Sequence, residues 1–234
     1  MSVHQEILRT TYNSIWQETL QKEELVYEDI QRTLDTLTDI NGTPYPGEGL
    51  ALQILLQDGA EEITELISNV QSDLLKLNTN TNLYIPSQES LHITVFPFYI
   101  STEEIKNDPT PEAMREISLY ISKQPSFDIN FEKLSLSKGD FILEGQVMND
   151  YLLDIRSMAQ RQTGAKSIPN LAHIAIARIL QPLEKAEYQE YKNYVSTHRN
   201  IHPALVLPVS NIYIVRHFDS MSHDTEISNL PLAK

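Results

Sequence analysis

Two short apolar runs each carry one histidine at the same offset: Leu91-His92-Ile93-Thr94-Val95 and Ala172-His173-Ile174-Ala175-Ile176. Side chains of an extended strand alternate between its faces. His92 and Thr94 therefore share one face, opposite Leu91, Ile93 and Val95. His173 and Ala175 share a face in the second run, opposite Ala172, Ile174 and Ile176. If the two strands lie beside or facing one another, two imidazoles converge on one cleft with a hydroxyl next to the first. Such a set suits phosphoryl chemistry: one ring as base, one as acid, and a donor for a phosphate oxygen. Ala175 stands where a second hydroxyl would complete the symmetry.

The elements around these runs are predicted to repeat. Leu50 to Leu56 is a strand candidate, followed by helical spacing at Ile63, Leu66, Ile67, Val70, Leu74 and Leu77 and then the His92 strand, which Pro97 ends or confines to an edge. A helix over about 111–122 has proline in its first turn. In the second half, 127–136 and 141–147 read as a hairpin around Lys138-Gly139-Asp140, and 151–161 as a helix stopped at Gly164. The His173 strand, a helix over about 183–197 and a last strand over 209–215 follow. A unit of strand, helix and histidine strand thus occurs twice, which suits two similar lobes flanking a groove.

The first forty residues read as helical, with Ile7, Ile15, Trp16 and Leu20 and then Leu25, Ile30, Leu34 and Leu37 near helical spacing. Three glycines and two prolines between Asn41 and Gly49 mark a loop. The expected division is a helical arm over 1–40, a linker over 41–48, a bilobal domain over 49–220 and a tail over 221–234. The arm is expected to be an accessory cap or a surface for self-association.

The formal net charge is −14. Sequence-independent binding to a long duplex relies on clustered Lys and Arg, so that class of partner is not expected, whereas a small nucleotide needs only one or two cations. No apolar run approaches membrane-spanning length and the N-terminus has no basic region followed by an apolar one, so a cytoplasmic location without a membrane partner is expected. The absence of cysteine excludes disulfides and thiolate metal sites. There is no P-loop, no His-Glu-x-x-His and no Gly-x-Ser-x-Gly.

The paired motifs resemble those of the 2H phosphoesterase superfamily, which includes bacterial RNA 2′,5′-ligase-like proteins and cyclic phosphodiesterases. Its signature is a pair of His-x-Thr/Ser-x motifs on strands of two pseudo-symmetric lobes. His92-Ile93-Thr94-Val95 matches the first, and His173-Ile174-Ala175-Ile176 matches the second except for its hydroxyl. The resemblance spans about 49–218 and implies an α+β fold: two pseudo-symmetric lobes, each a mainly antiparallel sheet flanked by helices, around a central cleft. It implies a reaction without metal or other cofactor at a phosphodiester, such as a 2′,3′-cyclic phosphate or a 2′,5′ linkage of a small nucleotide or RNA end. His92 and His173 would be acid and base in an order left open, and Thr94 a donor to a non-bridging oxygen.

Alternation assigns further residues. Phe96, two beyond Thr94, and Phe98 fall on the His92 face, so Phe96 is a candidate for stacking on a base, with core packing as the plainer role. Arg216, ending the last strand, is a candidate phosphate ligand or a partner for a carboxylate. Arg178 falls opposite His173, as an ion-paired or solvated arginine. His217 and His223, with Asp219 and Asp224, match no established metal-ligand spacing and read as a polar loop. Pro203 breaks any helix that would align His198 with His202. Two alternatives remain open beside the enzyme: a degenerate module that binds a cyclic nucleotide or oligonucleotide without cutting it, and an interaction protein working through its N-terminal helices.

Overall fold

The alternating apolar runs pair into two antiparallel sheets. The computed structural model describes residues 2–56, 59–77, 81–100, 109–165, 169–219 and 225–233. In chain order the elements are α1 (Val3–Gln21), α2 (Tyr27–Thr36), β1 (Pro46–Leu55), α3 (Glu61–Leu77), β2 (Leu83–Tyr84), β3 (His92–Ile100), α4 (Pro111–Ile121), β4 (Phe127–Ser137), β5 (Asp140–Val147), α5 (Tyr151–Thr163), β6 (His173–Ile179), α6 (Lys185–His198), β7 (Asn200–Val209), β8 (Asn211–Asp219) and β9 (Thr225–Pro231). The first sheet has the order β3-β1-β8-β9 and the second β2-β6-β5-β4-β7. His92 begins the edge strand of the first sheet and His173 begins an inner strand of the second. The chain does not keep its halves apart. β2 joins the second sheet, and β8 and β9 complete the first.

Local chemistry sets the ends of several elements. Thr110 caps α4 by accepting from the Ala113 N–H, and Pro111 follows where its missing N–H has no helical partner to lose. Gly164 ends α5 in the left-handed region, at φ 69°. α4 and α5 pack on each other, α5 against β3 and α4 against β9, while α1, α3 and α6 lie against the second sheet. The buried residues of both sheets form one continuous hydrophobic core.

Three expectations are corrected by the packing. The N-terminal helices are not an appended arm: Leu8, Tyr12, Leu25, Ile30 and Leu34 are buried within the common core. Thr19 Oγ1 donates to Leu136 O, Leu25 exchanges backbone hydrogen bonds with Leu183, and Lys192 Nζ donates to Lys22 O at 2.6 Å. The chain after residue 220 is not a structureless tail, since β9 pairs with β8 from Thr225 to Pro231. The strand expected over 209–215 is β8, preceded by β7, which ends at Val209 and belongs to the other sheet, and followed by β9, so it is not the last.

Candidate functional site

Each histidine strand begins regularly and then carries a β-bulge. β3 pairs with β1 with His92 opposite Leu55 and Thr94 opposite Gln53, but Phe96 is opposite Leu52, so Val95 is an extra residue. β6 pairs with β5 with His173 opposite Glu144 and Ala175 opposite Ile142, but Ala177 is opposite Phe141, so Ile176 is extra. In each strand the first extra residue lies three positions beyond the histidine, and β3 carries a second, Phe98, between the pairs Pro97–Ala51 and Tyr99–Leu50. An inserted residue reverses the alternation beyond it.

The reversal corrects two assignments. Phe96 leaves the face of His92 and Thr94 and lies in the core at 1% exposure, its ring 5.4 Å from that of Phe98, also buried. It has no surface left for a stacked base. Arg178, by contrast, comes onto the face of His173 and Ala175. There it pairs with Asp140 directly across the sheet, with Nη1 at 3.3 and 3.2 Å from the two carboxylate oxygens.

His92, Thr94, His173, Ala175 and Arg178 are all half-buried. Burial, then the charges of Arg178, Arg156 and His92, holds His173 down at a pKa of about 4. Burial also lowers the pKa of His92, with the Arg178 charge adding to the effect and a hydrogen bond to Ser90 O opposing it. One cation, Arg178, therefore acts on both rings. That bond runs from His92 Nδ1–H to the carbonyl at 2.7 Å and leaves the lone pair of the neutral ring on Nε2. His173 Nδ1 has no hydrogen-bond partner among the described residues.

The start of β6 is held by several groups. Tyr12 of α1 donates to Ala172 O at 2.8 Å and accepts from Ala172 N–H at 3.1 Å. Gly145 N–H donates to the same carbonyl at 2.7 Å, and a Cβ at position 145 would collide with that oxygen. Arg156 of α5, fully buried, spans both motifs: it donates to Val95 O at 2.9 Å and Thr94 O at 3.1 Å on β3, and to Leu171 O before β6.

Arg216 is exposed, on the face of β8 opposite His217, and its expected place at a phosphate is corrected by that parity. His217, expected in a polar loop, lies instead within β8. It is buried, its ring lies 6.5 Å from that of His92, and the Gln53 amide donates to its Nε2 at 3.1 Å. Gly49 gives it room, since a Cβ there would approach the ring within 3.3 Å. The only sequence signal for His217 would have been the continuation of β8 past Val215. His223 and Asp224 lie outside the described residues.

No protein-family model and no curated protein matches the sequence. Solved structures do match. A conserved protein of unknown function from Agrobacterium tumefaciens superposes with a TM-score of 0.60 at 16% identity, covering 86% of this chain and 91% of its own. LigT of E. coli in its apo form superposes with a TM-score of 0.51 at 14% identity, covering 81% of this chain and 99% of its own. LigT complexed with 3′-AMP gives 0.53 at 16% identity with the same coverage. These identities carry the fold, which agrees with the one implied by the resemblance to the 2H phosphoesterases. Two antiparallel sheets, each contributing a histidine strand and both wrapped by helices, give this chain the fold of LigT.

Proposed function

We propose that the chain is a 2H-type phosphodiesterase that acts without a metal on a small nucleotide or RNA-end phosphodiester, such as a 2′,3′-cyclic phosphate or a 2′,5′ linkage. The observation that carries this reading is the matched placement of His92 and His173, half-buried at the starts of β3 and β6, with Arg178 on the face of His173 and its charge acting on both rings. The His92 charge disfavours protonation of His173, so a proton restored by a bound anionic substrate resides on one ring of the two, the state an acid–base pair needs. The Ser90 carbonyl helps His92 hold that proton, whereas His173 Nδ1 has no such partner among the described residues. His92 is accordingly the general acid and His173 the general base in the hydrolytic direction.

In opening a cyclic phosphate, His173 takes a proton from the water whose oxygen forms the new bond to phosphorus. His92 delivers its Nε2 proton to the ribose oxygen as the bond from that oxygen to phosphorus breaks. Thr94 donates to a non-bridging oxygen, and Arg178 offsets the negative charge that the oxygens carry. The substrate's own negative charge raises the proton affinity of both rings, counteracting burial. The 3′-AMP complex of LigT supports a nucleotide of this size as ligand.

The test is turnover in EDTA on a panel of 2′,3′-cyclic nucleotides and 2′,5′- and 3′,5′-linked dinucleotides. His92→Ala and His173→Ala should each cost about 10²–10⁴-fold in kcat while affinity stays within roughly tenfold. Ala175 favours a second reading, capture of the nucleotide without cleavage. Tight binding with no turnover on any member of the panel would establish that reading instead.

A further inference from the structure

We infer that Gln71 of α3 is a positioning residue for the phosphate-binding side of the cleft, because its amide holds the β6 bulge that turns Arg178 toward His173. The inference rests on the phosphodiesterase reading for its functional meaning, but its geometry stands independently. Gln71 is buried, and its Nε2 donates to Ile176 O at 3.0 Å and to Pro86 O at 3.2 Å. Ile176 is the extra residue of the bulge. A bulged residue loses its place in the ladder, and a buried carbonyl without a partner is costly. The Gln71 amide satisfies that carbonyl from outside the sheet and ties it to the segment leading into β3.

The first sheet is built the same way. Val95 is the extra residue of the β3 bulge, and its carbonyl is taken by Arg156 of α5 at 2.9 Å. Each histidine strand therefore carries its first bulge at the same offset from its histidine, and the Val95 and Ile176 carbonyls of these bulges are each held by a long side chain from a helix. The consequences differ. In β3 the bulge removes Phe96 from the cleft face, and in β6 it brings Arg178 onto it. Without the bulge, Arg178 would fall on the face opposite His173, away from Asp140 and from both imidazoles.

Gln71→Met keeps the length and much of the volume of the side chain but donates to neither carbonyl. The readout is the NMR titration of His173, which Arg178 affects and which requires no turnover. With the bulge released, the midpoint of His173 should rise by roughly one pH unit, as it does on losing a nearby positive charge. In an Arg178→Gln background the same Gln71 substitution should add no further shift. A cooperatively folded Gln71→Met protein whose His173 titrates as in the wild type would overturn the inference. If Gln71→Met is unfolded at the assay temperature, Gln71→Asn, whose amide falls short of Ile176, is read by the same criteria. Absence of turnover in the wild-type protein, with the shift present, would refute the phosphodiesterase reading and leave the positioning role intact.

Discussion

Asp140 and Arg178 face each other across β5 and β6, and their ion pair ties the cation that acts on both histidines to a carboxylate of the neighbouring strand. The pair is partly shielded, with side-chain exposures of 32% and 21%. Burial raises the pKa of Asp140, and the Arg178 charge opposes that rise. Arg178 in turn lowers the proton affinity of His92 and His173.

The two partners should therefore move the histidines in opposite directions. Arg178→Gln removes the charge that disfavours imidazolium and should raise both titration midpoints. Asp140→Asn leaves the Arg178 charge uncompensated and should lower them. NMR titration of the two rings tests both signs at once. Midpoints moving in the same direction in the two variants would show that the ion pair is not the control on this cleft.

His92 and Thr94 could be placed from the sequence because the alternation of β3 is regular as far as Thr94. Phe96 and Arg178 could not, because each lies beyond a bulge, and a single inserted residue inverts every later assignment. A local hint existed for one of them: Val95-Phe96 is a consecutive apolar pair that interrupts alternation, whereas Ile176-Ala177 lies in the continuous apolar run from Ile174 to Ala177 and marks no break. Arg216 and His217 were misplaced for a related reason, since counting parity along β8 requires knowing that the strand continues to Asp219. The N-terminal helices were legible as helices but not as core. Their spacing shows that an apolar face exists and says nothing of what covers it, and Tyr12 meets Ala172 far along the chain.

That contact predicts the outcome of truncation. Deleting residues 2–42 would expose the surface that Leu8, Tyr12, Leu25, Ile30 and Leu34 cover and would release Ala172, the residue before His173. The remaining chain should lose cooperative thermal unfolding. Tyr12→Phe should be milder, costing about 1–3 kcal/mol in denaturant unfolding for the buried hydrogen bonds it abolishes. A truncated protein with a sharp melting transition near that of the full chain would show that the helices are accessory after all.

Ala175 offers a gain-of-function test. It lies on the His173 face, half-buried, in the position that Thr94 occupies relative to His92. Ala175→Thr adds a hydroxyl of the kind that donates to a charged oxygen, worth roughly 1.5–3 kcal/mol where the geometry suits. In a working phosphodiesterase, kcat should rise by about ten- to a hundredfold on the best substrate of the panel. In a nucleotide-binding module, the same substitution would change affinity alone and leave turnover at background.

Acid should destabilise the folded chain through its buried histidines. His4 is held near a pKa of about 4 by burial and by the Arg156 charge, and His173 near about 4 by burial and by Arg178. A histidine depressed in the folded state binds its proton more readily when unfolded, where the pKa is about 6.5. The unfolded chain therefore takes up protons between pH 6.5 and 4 that the folded chain does not. Stability contributed by neutral burial is complete above pH 6.5 and is lost as pH falls through that window. Between pH 7 and pH 5 each of the two rings should cost about 2 kcal/mol in urea unfolding. His4→Gln should remove its own share of that slope without moving the His173 titration, because His4 is not among the groups whose charge acts on His173. An unfolding free energy that is flat from pH 7 to pH 5 would show that both rings charge freely within the fold.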